Sequence, residues 1–174
     1  MRTILTTALL VCAMVCATSV RADRTAVGKR AFDFTIEDQF EKSWSWSATY
    51  KGKPTVIVMS DRSGAEFITA WTTPLTKQYA KRVSFAAMAD VSAAPFFIKG
   101  LLRSKFRDAY SVSILMDWDG DAFEYYHVHE GVPNVLYISP DGIVRLHVWG
   151  KGTQGEISAF TRELDRCIPQ PSSK

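Results

Sequence analysis

The stretch Gly52-Lys53-Pro54-Thr55-Val56-Ile57-Val58-Met59-Ser60-Asp61-Arg62-Ser63-Gly64-Ala65-Glu66-Phe67 decides the architecture of this chain. Its middle, Thr55 to Ser60, is a continuous apolar and β-branched run, the pattern of a strand buried on both faces rather than one that alternates between core and water. A polar turn follows at Asp61 to Gly64. Beyond it Phe67, Ile68, Trp71, Leu75 and Tyr79 recur at three- and four-residue spacing, which predicts a helix that lays one apolar face on the sheet, with Pro74 expected to kink or interrupt it. A buried strand feeding a helix through a short turn is the unit of an α/β protein.

Working outward, the alternation continues. A short strand is expected at 32–36 and a Trp44/Trp46 segment after it. A second buried strand is predicted at 83–88, and residues 95–106 read as a helix whose inner face would carry Phe97, Leu101 and Leu102. A third strand, 114–116, ends at the polar turn Asp117-Trp118-Asp119-Gly120-Asp121, and a short helix or turn spans 122–130. Strands 134–138 and 143–149 are joined by Ser139-Pro140-Asp141-Gly142, where Asp-Gly favours a hairpin turn matched to strand twist. The last element, 154–168, carries Ile157, Phe160, Leu164 and Cys167 or Ile168 as a helical stripe. Alternating strands and helices that end in a hairpin and one helix define a three-layer α/β/α sandwich around a central mixed β-sheet.

The N-terminus reads as an address. Arg2, then the apolar run from Ala8 to Ala17, then Val20-Arg21-Ala22 before Asp23, form the three regions of a signal peptide over residues 1–22, with an apolar core too short for a stable membrane anchor. Residues 23–30 are polar and aperiodic, and are expected to form a flexible lead-in. The domain is expected at 31–168, with residues 169–174 a disordered tail. Such a chain is exported, to a periplasm or to the outside.

Cleavage would remove Cys12 and Cys16 and leave Cys167 as the one thiol of the mature chain, so no intramolecular disulfide could form. It would also remove two of the 21 basic residues, taking the formal charge from +3 to +1. No basic stripe follows a phosphate backbone, which excludes nucleic acid as the expected partner. Stability must come from a core, and a chain of this size buries about 70% of its extended surface on folding.

The order of elements resembles the thioredoxin-like superfamily, in particular its exported redoxin and thiol-reductase branch, over most of residues 31–168. Two stretches carry the likeness: Gly52 to Ser60 with the helix after it, and Gly131-Val132-Pro133-Asn134-Val135-Leu136-Tyr137-Ile138-Ser139-Pro140-Asp141-Gly142. The second is similar to the family's cis-proline loop and final hairpin, so the resemblance implies a cis bond at Pro133. It also implies a groove between the helix start (Asp61, Arg62, Ser63, Gly64, Ala65, Glu66) and the loop at Val132 and Pro133. There the family holds a Cys-x-x-Cys pair. This chain has Ser63 and Glu66 at those positions, and neither a hydroxyl nor a carboxylate performs dithiol exchange.

Other groupings carry less. His127 and His129 could share a metal with Glu130 or Asp61 if their segment is extended, although two imidazoles without a thiolate are a thin ligand set. The acidic turn at 117–121 has its glycine in the fourth position, not the sixth an EF-hand requires. Ser63 with a histidine and Asp61 lacks any nucleophile-elbow context. Cys167 falls on or beside the apolar stripe of the last helix and reads as an inert boundary residue or as an intermolecular disulfide partner. The five tryptophans imply either a rich core or, at Trp44 and Trp46, an exposed aromatic face. No cofactor is expected. The residues favour a redox-inactive, thioredoxin-like binding module for a peptide or protein partner. The alternative is an oxidoreductase or antioxidant protein acting through Cys167, a metal or a partner's thiol.

Overall fold

A computed structural model describes residues 25–168. The expected signal peptide, the start of the lead-in and the tail at 169–174 lie outside the described residues. Seven strands and four α-helices follow one another in the described residues: β1 (Thr35–Glu37), β2 (Ser43–Ser45), β3 (Thr55–Ser60), α1 (Ile68–Tyr79), β4 (Ser84–Asp90), α2 (Lys99–Ala109), β5 (Leu115–Asp117), α3 (Asp121–Tyr126), β6 (Asn134–Ile138), β7 (Val144–Trp149) and α4 (Gln154–Cys167).

All six residues of β3 are buried, because β3 is the centre of a five-stranded sheet ordered β5-β4-β3-β6-β7. β4 runs parallel to it, with Thr55 opposite Ser84, while β6 runs antiparallel, with Thr55 opposite Ile138. Alternate β3 side chains enter separate cores. Val56 and Val58 meet Trp71, Leu75 and Tyr79 of α1 and Phe160 and Leu164 of α4. Ile57 and Met59 meet Phe34, Trp46, Tyr50, Phe123 and Tyr126 on the opposite face. Two helices therefore cover one face, and α3 with the N-terminal hairpin covers the other, which completes the mixed-sheet sandwich of the thioredoxin-like fold.

Five expectations need correction. Pro74 sits inside α1 and does not interrupt it, which removes one of the two outcomes expected of it. A helix-interior proline costs about 3 kcal/mol, whereas Trp71, Leu75 and Tyr79 are fully buried and each large apolar side chain contributes about 1.5 to 3 kcal/mol, so the packing wins. Residues 25–30 are no loose lead-in: Ala26 is fully buried, Gly28 N–H donates to Val144 O at 2.9 Å, and Val144 N–H donates to Lys29 O at 2.9 Å. The helix expected over 122–130 stops at Tyr126, since His127 adopts a left-handed conformation (φ 54°) that closes its C-terminus.

The fourth correction concerns α2. Phe97 and Leu101, placed by periodicity on its inner face, are 75% and 60% exposed, and no residue of α2 is buried. The helix is held by its polar face instead. Arg103 pairs with Glu37 and Glu41, Arg107 Nη1 donates to Gln39 O at 2.9 Å, and Lys99 and Arg103 lie over the Trp118 ring. Trp44 and Trp46 form no open aromatic face either: Trp46 is buried and Trp44 Nε1 donates to Asp38 Oδ2 at 2.9 Å.

Candidate functional site

β3 delivers the chain to a turn at 61–64, and a single 3₁₀ turn, Ala65–Phe67, leads into α1. The Asp61 carboxylate organises this turn. Its Oδ1 accepts from Gly64 N–H at 2.7 Å, and its Oδ2 accepts from Gly131 N–H at 2.9 Å. One side chain thus joins two loops that lie 70 residues apart in sequence. It also occupies the amide of the helix start, where an anionic ligand would otherwise compete.

Gly64 shows how closely the loops meet. A Cβ there would lie 2.6 Å from Ser60 Oγ and 2.8 Å from the Val132 carbonyl carbon, so glycine alone fits. The predicted site residues therefore come together, but as a contact and not as an open cleft. Arg62, Ser63 and Glu66 stay exposed, Asp61, Ala65 and Val132 are half-buried, and Gly64 and Pro133 are buried.

All peptide bonds of the described residues are trans, so the bond before Pro133 is not the cis bond the resemblance implied. The loop is shaped by side chains instead. Asn134 Nδ2 donates to His129 O at 2.8 Å and to Val132 O at 3.0 Å, while its Oδ1 accepts from His129 N–H at 2.9 Å. Pro133 O in turn accepts from Gly150 N–H at 3.1 Å. The carbonyls beside Pro133, which would pair with an added strand, are already used within the chain.

A histidine cluster backs this loop. His147 Nδ1 accepts from Ala26 N–H at 3.0 Å, which leaves the proton on Nε2, 3.1 Å from Asn134 Oδ1. Burial, with the neighbouring His129 and His127, pulls its pKa down to about 4, so it is neutral at pH 7. The ring of His129 stacks on Trp149 with centroids 3.7 Å apart. His127 Nε2 faces Lys29 Nζ at 2.9 Å, a cation where a metal would have to sit. Among the described residues no group of three or more His, Cys, Asp or Glu side chains is placed to hold a metal. The acidic turn serves the fold: Asp117 accepts from the N–H groups of Gly120, Ala122 and Phe123, capping α3.

Cys167 is exposed in the last turn of α4, the end whose dipole disfavours a thiolate. Local burial and Glu163 push its thiol pKa up further. The sequence did not single out Asn134, His147 or Gln39, since their partners are distant in the chain and no short motif marks them.

No protein-family model matches the chain, and no curated protein matches it. Solved structures do. An uncharacterized conserved protein from Geobacillus kaustophilus has a TM-score of 0.64 at 15% identity, over 87% of this chain and 88% of that one. The pneumococcal exposed lipoprotein thioredoxin of Streptococcus pneumoniae gives 0.61 at 16% identity, over 76% and 99%. A protein named as the thiol:disulfide interchange protein DsbE, from Chlorobium tepidum, gives 0.60 at 16% identity, over 83% and 99%. The chain has the thioredoxin-like fold these proteins share. At such identities the likeness is one of fold.

Proposed function

We propose that this chain is an exported, thiol-independent binding module of the thioredoxin-like fold, taking a peptide or protein partner at the surface formed by Arg62, Ser63, Ala65 and Glu66. The observation that carries this reading is the state of the helix start. By the resemblance, Ser63 and Glu66 take the places of the fold's thiols, and the frame around them is built, with Asp61 joining both loops and Gly64 against Val132. A frame kept without its nucleophile supports recognition more than turnover. Export follows from the sequence pattern of residues 1–22. Among the described residues no helix is long and apolar enough to cross a membrane.

The rival, an oxidoreductase using Cys167, is opposed by that residue's place at a helix C-terminus and by its raised pKa. Insulin-reduction and peroxide-consumption assays separate the two. The binding module gives no turnover above buffer, and Cys167→Ser changes nothing; turnover abolished by Cys167→Ser overturns the reading. A partner recovered from the exported fraction is expected to lose association when Arg62→Glu and Glu66→Arg reverse the exposed charges.

A further inference from the structure

The face of the sheet between α1 and α2 is open. A cavity of about 1450 Å³ opens there, lined by Ile68 of α1, Phe85 and Ala87 of β4, and Leu101, Leu102 and Phe106 of α2, and it continues around the β4 edge to Tyr50 and Met88 on the other face. That exceeds the roughly 300 to 1,000 Å³ of small-molecule sites. It exists because α2 is anchored through Arg103 and Arg107 on its other face, which leaves its apolar side chains unpartnered.

Its floor is an unfinished sheet edge. β4 pairs with β5 only from Met88 opposite Leu115 onward. Ser84 N–H donates to Pro54 O on the β3 side, so by the alternation of a strand the backbone groups of Phe85 and Ala87 point the other way. Among the described residues the N–H and C=O of Phe85 and the N–H of Ala87 therefore have no ladder partner. The natural cover would be the chain just before β5, but fully buried Gln39 diverts it. Gln39 Nε2 donates to Val112 O at 2.7 Å and Tyr110 O at 3.3 Å, and its Oε1 accepts from Ile114 N–H at 2.8 Å. The groove is held open by a dedicated amide.

The geometry points to a peptide-binding groove in which an extended, apolar-alternating segment of a partner protein adds as a strand to β4 at Phe85–Ala87, its side chains clasped between α1 and α2. An acyl chain would fill the apolar volume but leave the strand's amides unsatisfied, whereas a peptide answers both. A second copy's sheet edge would have to enter a cavity lined by α1 and α2 on one face and by Trp44 and Tyr50 on the other, which a single extended segment fits better than a folded sheet. The inference goes beyond the binding reading above and shares Asp61, Arg62 and Ala65 with it, all of which line the cavity.

Amide hydrogen exchange on the purified chain tests it. The probe is a blocked hexapeptide of alternating valine and threonine with a lysine at each end, with a fully N-methylated copy as control. Without probe, Phe85 and Ala87 are expected to exchange at least about tenfold faster than Ala86 and Met88, which bond to β3; the peptide slows them about tenfold and the methylated copy does not. Leu102→Glu, on a half-exposed helix position, abolishes the protection. So does Ala87→Pro, which removes the edge-facing N–H and spares the bonds to β3.

Protection of Phe85 and Ala87 without any probe overturns the inference, as does equal protection by the methylated peptide or by laurate, or concentration-dependent protection with dimer formation. Thiol turnover would sink the proposed function and leave these amides unchanged. Loss of peptide protection would sink the groove and leave the charge-reversal result at Arg62 and Glu66 standing.

Discussion

At the residue scale, Asp61 does most to define the site. Its two carboxylate oxygens each accept a backbone N–H, and hydrogen bonds to a charged acceptor contribute about 1.5 to 3 kcal/mol each. Asp61→Ala strands two amides, so urea unfolding is expected to show a loss of about 3 kcal/mol, with Asp61→Asn losing clearly less; equal losses would mean that the charge is irrelevant. Gly64→Ala drives a Cβ into the Val132 backbone, which cannot rotate away as a side chain could. It is expected to separate the loops and speed exchange of the Gly131 amide. The sequence made the neighbourhood of these residues legible, because a buried strand followed by a polar turn and a helix is a local pattern. It could not show that Asp61 reaches Gly131, since that contact is decided by the packing of two remote loops.

At the scale of elements, legibility followed how locally each one is determined. β3 was readable to both its ends because a fully apolar β-branched run has one stable environment. α4 was readable from its stripe, and the structure adds a start that agrees with it: Thr153 Oγ1 accepts from Glu156 N–H and the Glu156 carboxylate accepts from Thr153 N–H, a complete capping box. Thr153→Ala is expected to cost about 1 kcal/mol by thermal or chemical unfolding. α2 was misplaced for a definite reason. Periodicity shows that a helix has an apolar face, but not which neighbour covers it, and here Arg103 and Arg107 bind the β1–β2 hairpin and turn that face to an open groove. Gln39 is the counterpart of that choice. Gln39→Leu leaves Tyr110 O, Val112 O and Ile114 N–H without their partner, and is expected to cost about 2 to 4 kcal/mol and to loosen residues 110–114 by hydrogen exchange.

At the scale of the whole molecule, one buried imidazole ties the N-terminal segment to the loop of the candidate site. His147 takes the Ala26 N–H, lies against Asn134, and through Asn134 supports His129 and Val132. Its pKa is depressed from the ordinary 6.5 to about 4, so the unfolded chain binds the proton more readily than the folded one. The stability this contributes is fully present above pH 6.5 and is lost as pH falls toward 4. At about pH 4.5 the linkage amounts to about 2 to 3 kcal/mol. Asp117 works in the opposite direction: burial raises its pKa, so its protonation in the folded state favours folding as pH falls and offsets part of the loss. Asp38 is held below the usual carboxylate range; burial opposes its charge, but donors including Trp44 and the Lys42 and Phe40 amides outweigh it, so its contribution is lost only below about pH 4. The interval from pH 6.5 to about 4 thus isolates His147 against Asp117. Urea midpoints are expected to fall steadily across it, and His147→Gln, which cannot titrate, is expected to flatten or reverse the slope while lowering stability at neutral pH. An unchanged slope in that variant would place the acid sensitivity elsewhere and separate the Pro133 loop from the N-terminal segment.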